Sequence, residues 1–110
     1  MRYLKLFEDK RYIDISREEY YKTTKNNKIS SIEKKILIDK LRKIFNEENI
    51  QFAIYDWGIF IRFTLLSIIY DINITSIEDD YYYLLDNAGQ YYKCDQFSGL
   101  VNFIKSRLSK

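Results

Sequence analysis

Residues 70–94, YDINITSIEDDYYYLLDNAGQYYKC, decide the fold. Tyr70–Ile77 reads as a strand. Glu78-Asp79-Asp80 is a tight acidic turn, and Tyr81–Leu85 resumes as a strand. Asp86-Asn87-Ala88-Gly89 is a hairpin turn, with Gly89 suited to positive φ. Gln90–Cys94 is the last strand. Strands in a run, joined by turns too short for a crossover, pair antiparallel.

Working toward the N-terminus, the same period continues. Ile59–Thr64 is β-branched and aromatic, and Asp56-Trp57-Gly58 before it reads as a turn. Ile50, Phe52 and Ile54 alternate with Gln51, Ala53 and Tyr55, as in a half-buried strand. Leu65–Ser67 holds no turn residue, so a short helical turn over Leu65–Ile69 is one expectation there. Further upstream the period changes from 2 to 3.6. Ser30-Ser31-Ile32-Glu33 forms a capping box, in which serine and glutamate satisfy each other's backbone amides. A helix follows, with Ile32, Ile36, Leu37, Leu41, Ile44 and Phe45 as its apolar face, opposite Lys34, Lys35, Asp39 and Arg42. Asn46–Asn49 ends it. A second capping signature, Ser16-Arg17-Glu18-Glu19, starts a short helix through Tyr20 and Tyr21, and Lys25–Lys28 ends that one. Tyr3–Phe7 reads as a first strand. Toward the C-terminus, Asp95 is placed to cap a helix whose stripe is Phe97, Leu100, Val101, Ile104 and Leu108. The expected architecture is α+β. It is an antiparallel meander of about five to six strands with two to three helices packed on one face.

The chain has 110 residues, one domain's worth, and no repeat, linker or low-complexity tract divides 1–110. Hydrophobic residues make up 46%, enough for a core and against disorder. The single cysteine, Cys94, cannot form an intrachain disulfide, which suits a reducing compartment. No signal peptide is read at the N-terminus. The longest apolar stretch, Gly58–Tyr70, is short for a bilayer and contains Arg62. A cytoplasmic location without membrane contact is the expectation. The net charge of +2 hides an asymmetry. Residues 22–46 carry eight basic side chains against Glu33 and Asp39, whereas residues 47–95 carry nine acidic ones against Arg62 and Lys93. The helical part is basic and the sheet part acidic, a dipole that steers partners.

The chemistry is restrictive. Histidine is absent, which removes the commonest general base and most transition-metal sites. The three glycines, Gly58, Gly89 and Gly99, are isolated and build no phosphate loop. Cys94 has no histidine to activate it and reads as a small buried hydrophobe. Glu78, Asp79 and Asp80 could supply oxygen ligands to Mg²⁺, but consecutive strand positions point to opposite faces and do not converge on one ion. No metal ligands and no cofactor are therefore assigned.

Two surfaces stand out as binding candidates. Tyr81, Tyr82, Tyr83, Tyr91 and Tyr92 lie on the two strands of one predicted hairpin, where opposite rings pair. If one face is open, these tyrosines, with Trp57, suit a protein interface, where Tyr and Trp are enriched. An aromatic sheet can also stack bases, but the acidity of this segment repels phosphate. The basic helical region offers Lys34, Lys35, Lys40, Arg42 and Lys43 as phosphate contacts.

Tyr91-Tyr92-Lys93-Cys94-Asp95-Gln96-Phe97-Ser98-Gly99-Leu100 resembles a C-terminal strand-to-helix motif of small tailed-phage proteins. MRYLKLFE at the N-terminus and Ile15–Tyr21 are similar to the same set. The resemblance covers about a quarter of the chain, at its two ends. It implies a viral accessory protein in the cytoplasm of an infected bacterial cell and transfers no functional residue. The leading reading is a non-catalytic protein, not an enzyme, that binds a host or viral protein. It would be an inhibitor of a host system or a minor assembly factor. A homo-oligomer is a further reading. One alternative is a nucleic-acid-binding module using basic helices 22–46. A second is a Mg-dependent enzyme using the 78–80 turn.

Overall fold

The computed structural model describes residues 11–25, 28–46, 49–65 and 67–108; the expected strand Tyr3–Phe7 lies outside them. The elements run β1 (Tyr12–Ile15), α1 (Arg17–Thr24), α2 (Ser31–Ile44), β2 (Ile50–Tyr55), β3 (Gly58–Leu65), β4 (Ile68–Glu78), β5 (Tyr81–Asp86), β6 (Tyr91–Asp95) and α3 (Gln96–Leu108). The strands form one sheet in the order β1-β6-β5-β4-β3-β2, antiparallel at every junction. Strands β2 to β6 are thus the expected meander, and β1 adds at the far edge. β1 was not expected from the sequence, although Tyr-Ile-Asp-Ile alternates; four residues give too short a run to see the period.

The turns follow their residues. Asp79 and Asp80 take φ of 49° and 67°, and Gly89 takes 84°. Aspartate and glycine tolerate that region best. The helical turn expected at Leu65–Ile69 does not form. Phe63↔Tyr70, Thr64↔Ile69 and Leu65↔Ile68 stay paired, and Ser67 is left-handed at φ 70°. The ladder on both sides outweighs the missing turn residue.

Gly58 begins β3 with φ 153°, where a Cβ would lie 2.1 Å from the Ile74 carbonyl oxygen. Glycine therefore lets the β2–β3 hairpin close against β4. Beside this contact β4 bulges. Ile74 pairs with Leu84 and Ser76 with Tyr83, leaving Thr75 unopposed.

Ser30 and Glu33 cap α2 reciprocally, and Ser16 accepts from the Glu19 amide to cap α1. The buried face of α2 differs from the expected one. Lys34, Leu37, Ile38 and Leu41 are buried, followed by Phe45 at the cap, whereas Ile32, Ile36 and Ile44 are 71%, 52% and 46% exposed. Isoleucines occur on both sides of this helix, so periodicity admits two neighbouring stripes and tertiary packing chooses between them.

Asp95 also departs from expectation. It is the last strand residue, and its carboxylate ion-pairs with Arg11 at 3.2 Å rather than acting as the predicted cap. The helix opens at Gln96, whose left-handed backbone (φ 64°) donates its N–H to the Asp80 carbonyl at 2.7 Å. The expected stripe of α3 holds in Leu100, Val101 and Ile104, with Phe103 added at full burial.

The main core lies between one sheet face and the two longer helices. Ile59, Ile61, Phe63, Ile72, Ile74 and Leu84 meet Leu37, Ile38 and Leu41 of α2 and Leu100, Phe103 and Ile104 of α3. Each such side chain contributes about 1.5–3 kcal/mol when removed from water. Two helices thus pack on one face, as expected, and α1 lies on the other. There Tyr20 joins Ile15 and Tyr83, flanked by Ile13, Tyr81, Leu85 and Tyr91.

Candidate functional site

The tyrosine hairpin is covered on both faces. Tyr82 opposes Cys94 and Tyr92 opposes Leu84 on the main-core face, with the Tyr92 ring 4.7 Å from Phe103. Tyr81, Tyr83 and Tyr91 point the other way, toward α1. Tyr20 of that helix lies 4.5 Å from Tyr91 and shares a hydroxyl–hydroxyl bond with Thr75 at the bulge. Lys93 adds its ammonium 4.2 Å over the Tyr81 ring. Tyr83 and Tyr92 are buried, and Tyr81, Tyr82 and Tyr91 are half-buried. Burial pushes the Tyr82 and Tyr92 phenols above their ordinary value. The expected open tyrosine face is not found at Tyr83 and Tyr92, which are buried, while Tyr81, Tyr82 and Tyr91 keep partial exposure. A helix of eight residues suffices to cover the face that antiparallel pairing alone left open.

The open aromatic surface lies at the opposite end of the same sheet face. Among the described residues, α1 packs against β4 and β6, and Gln51 and Tyr55 of β2 stay exposed on this face while Phe60 and Arg62 of β3 are half-buried. Tyr55 at the end of β2 and Trp57 in the turn stack at 5.2 Å with 10° between ring planes. Phe60 of β3 meets Tyr55 edge-on at 6.2 Å. Tyr55 and Trp57 remain 48% and 43% exposed. Arg62, two residues along the same face, lies 5.3 Å over Phe60 and binds Asp71 of β4 through two nitrogens at 2.8 and 3.0 Å. Of the sequence-predicted interface residues, Trp57 alone sits on this surface. Tyr55 and Phe60 were passed over because single rings in alternating strands carry no signal of exposure.

The basic helix divides. Lys34 is buried, and its Nζ donates to the carbonyls of Tyr55 at 2.7 Å and Asp56 at 3.1 Å. It is therefore withdrawn from phosphate contact, because the turn of α2 that carries it faces the β2–β3 tip. Lys35, Lys40, Arg42 and Lys43 are exposed. Lys40 lies 5.0 Å over Phe97 and Arg42 5.8 Å over Phe52. Between α2 and β2 runs a groove of about 330 Å³, with Lys35, Ile38, Asp39 and Arg42 on the helix side and Phe52 and Ile54 on the strand side. Lys43 and Asn46 extend it along the helix.

The titratable groups left over serve structure. Asp86 is buried. One carboxylate oxygen accepts from the amides of Ala88 and Gln90, and the other from the hydroxyls of Tyr70 at 2.9 Å and Tyr92 at 3.3 Å. Arg107 of α3 donates to the Tyr70 hydroxyl at 3.0 Å. The network ties the β5–β6 turn to β4 and to the end of the last helix. Sequence reading saw Asp86 as a turn residue and missed Arg107, 21 positions further on. Burial pushes the Tyr70 phenol and the Cys94 thiol well up. Glu78, Asp79 and Asp80 are exposed, and no group of three metal-ligating side chains occurs among the described residues. No helix among them is long and apolar enough to cross a membrane.

No protein-family model, curated protein or solved structure matches this chain.

Proposed function

We propose that this is a non-catalytic viral accessory protein that acts by binding another protein through the open face of the β2–β3 hairpin. It would serve as an inhibitor of a host system or a minor assembly factor in an infected bacterial cell. The observation that carries the binding reading is the exposed Tyr55–Trp57 stack, braced by Phe60 and by the Arg62–Asp71 pair. Rings held by neighbours lose little freedom on docking, and Tyr, Trp and Arg dominate interface energetics. The viral context rests on the resemblance of the chain's two ends to tailed-phage proteins. Nucleic acid is the weaker reading, since Arg62 is neutralised by Asp71 and Lys34 is spent on backbone carbonyls.

The test is affinity capture from lysate of the producing cell, comparing wild type with the Tyr55→Ala/Trp57→Ala double variant, both checked for fold by circular dichroism. The expected outcome is a specific protein held by wild type and lost from the variant. Equal capture by both, or no specific capture by wild type, contradicts the proposal.

A further inference from the structure

We propose that the outer edge of β2, with the groove between β2 and α2, accepts an extended acidic segment of the partner protein as an added strand. This rests on the protein-binding reading and specifies the chemistry and mode of docking.

β2 ends the sheet, and among the described residues no strand lies beyond it. Edge strands are ordinarily blunted by lysine, proline, shortness or a bulge. Ile-Gln-Phe-Ala-Ile-Tyr has no such residue, and its register with β3 is regular from Ile50↔Phe63 to Tyr55↔Gly58. The opposite edge, β1, has four residues and carries the exposed Asp14. The two edges are therefore protected unequally.

The backbone of β2 is oriented for pairing. The Thr64 amide donates to the Asn49 carbonyl at 2.9 Å, which makes Asn49 and Thr64 a closely bonded pair. Antiparallel ladders alternate, so Gln51/Arg62 and Ala53/Phe60 are the next bonded pairs. The N–H and C=O groups of Ile50, Phe52 and Ile54 consequently face the free edge. In strand addition such groups provide affinity, and alternate side-chain sites provide specificity.

Charge selects the occupant. Among the described residues, Lys35, Arg42 and Lys43 border the groove and its extension against the carboxylate of Asp39. The floor, Ile38, Phe52 and Ile54, is apolar. An extended segment alternating apolar and acidic residues matches this pattern. A second copy of β2 would bring two sets of these cations together, and the chain's own Tyr3–Phe7 carries Lys5 and follows Arg2. Lys34 holds the β2–β3 tip to α2 through two carbonyls, so the groove exists before any ligand arrives.

The experiment titrates the full chain into fluorescein-labelled Val-Glu-Val-Glu-Val and Val-Lys-Val-Lys-Val and follows anisotropy. The acidic peptide is expected to bind about tenfold more tightly, and more weakly as salt rises. The Lys35→Glu/Arg42→Glu variant should reverse the order. In the wild-type chain the acidic peptide should slow hydrogen exchange at the Ile50, Phe52 and Ile54 amides. The salt dependence and the exchange pattern need no variant and stand if the double variant fails to fold. Equal affinities, no saturable binding, or displacement of the peptide by a single-stranded oligonucleotide of higher affinity each overturn the proposal. So does prior protection of those three amides in the free chain, as a monomer or in a concentration-dependent dimer. Capture through Tyr55 and Trp57 without peptide selectivity at β2 overturns this assignment alone and leaves the aromatic face standing.

Discussion

At the scale of single residues, Lys34 shows how position changes the meaning of a side chain. In sequence it belongs to a basic run and reads as a phosphate contact. In the fold its stem is covered and its ammonium closes two carbonyls at the β2–β3 tip. Its neighbour Lys35 stays in solvent. Composition could not separate the two, because the choice depends on which turn of α2 faces the hairpin. Lys34→Met keeps the stem and removes the charge-assisted bonds. It should cost about 1–3 kcal/mol, read from the midpoint and slope of urea unfolding. An unchanged midpoint would mean that Lys34 does not hold the tip.

At the scale of elements, legibility followed the strength of the local signal. The β4–β5 and β5–β6 hairpins were readable because Asp79, Asp80 and Gly89 adopt the left-handed backbone their positions require. The end of α1 and the capping box of α2 were readable for the same local reasons. The face of α2 was not, because Ile32, Ile36, Ile38 and Ile44 surround the helix and periodicity alone cannot rank them. The packing separates Ile38, buried, from Ile36, half in solvent. Ile38→Ala should therefore destabilise by about 2–4 kcal/mol. Ile36→Lys should stay within about 0.5 kcal/mol. Thermal or urea unfolding of the two variants decides the orientation, and a larger loss at Ile36 would reverse the assigned face.

At the scale of the whole molecule, the antiparallel meander was legible, but the full strand order, in which β1 pairs with β6, and the sheet's two-sidedness were not. Both faces carry rings, so no pattern in Tyr81–Tyr83 or Tyr91–Tyr92 reveals that α1 covers one end while Tyr55 and Trp57 stay exposed at the other. That division is a tertiary event, decided by where Tyr20 docks against Thr75, Tyr83 and Tyr91. The buried acids also act together. Burial raises the Cys94 thiol above its ordinary 9.0 and the Tyr20, Tyr70, Tyr82 and Tyr92 phenols above 10.0. A raised acid is favoured neutral in the fold. Its contribution is complete below the unfolded values and is lost as pH climbs toward the folded ones. Stability should hold through neutral pH and fall progressively above about pH 9–10, followed by chemical unfolding across an alkaline series. A maximum above pH 10 would contradict the burial of these groups.

The proposed docking surface is the β2–β3 end of the sheet and not its tyrosine hairpin. Hydrogen–deuterium exchange on the complex with the captured partner tests it most directly. New protection is expected over residues 50–62, with β5 and β6 unchanged. New protection over residues 81–95, with 50–62 exchanging as in the free chain, would contradict it.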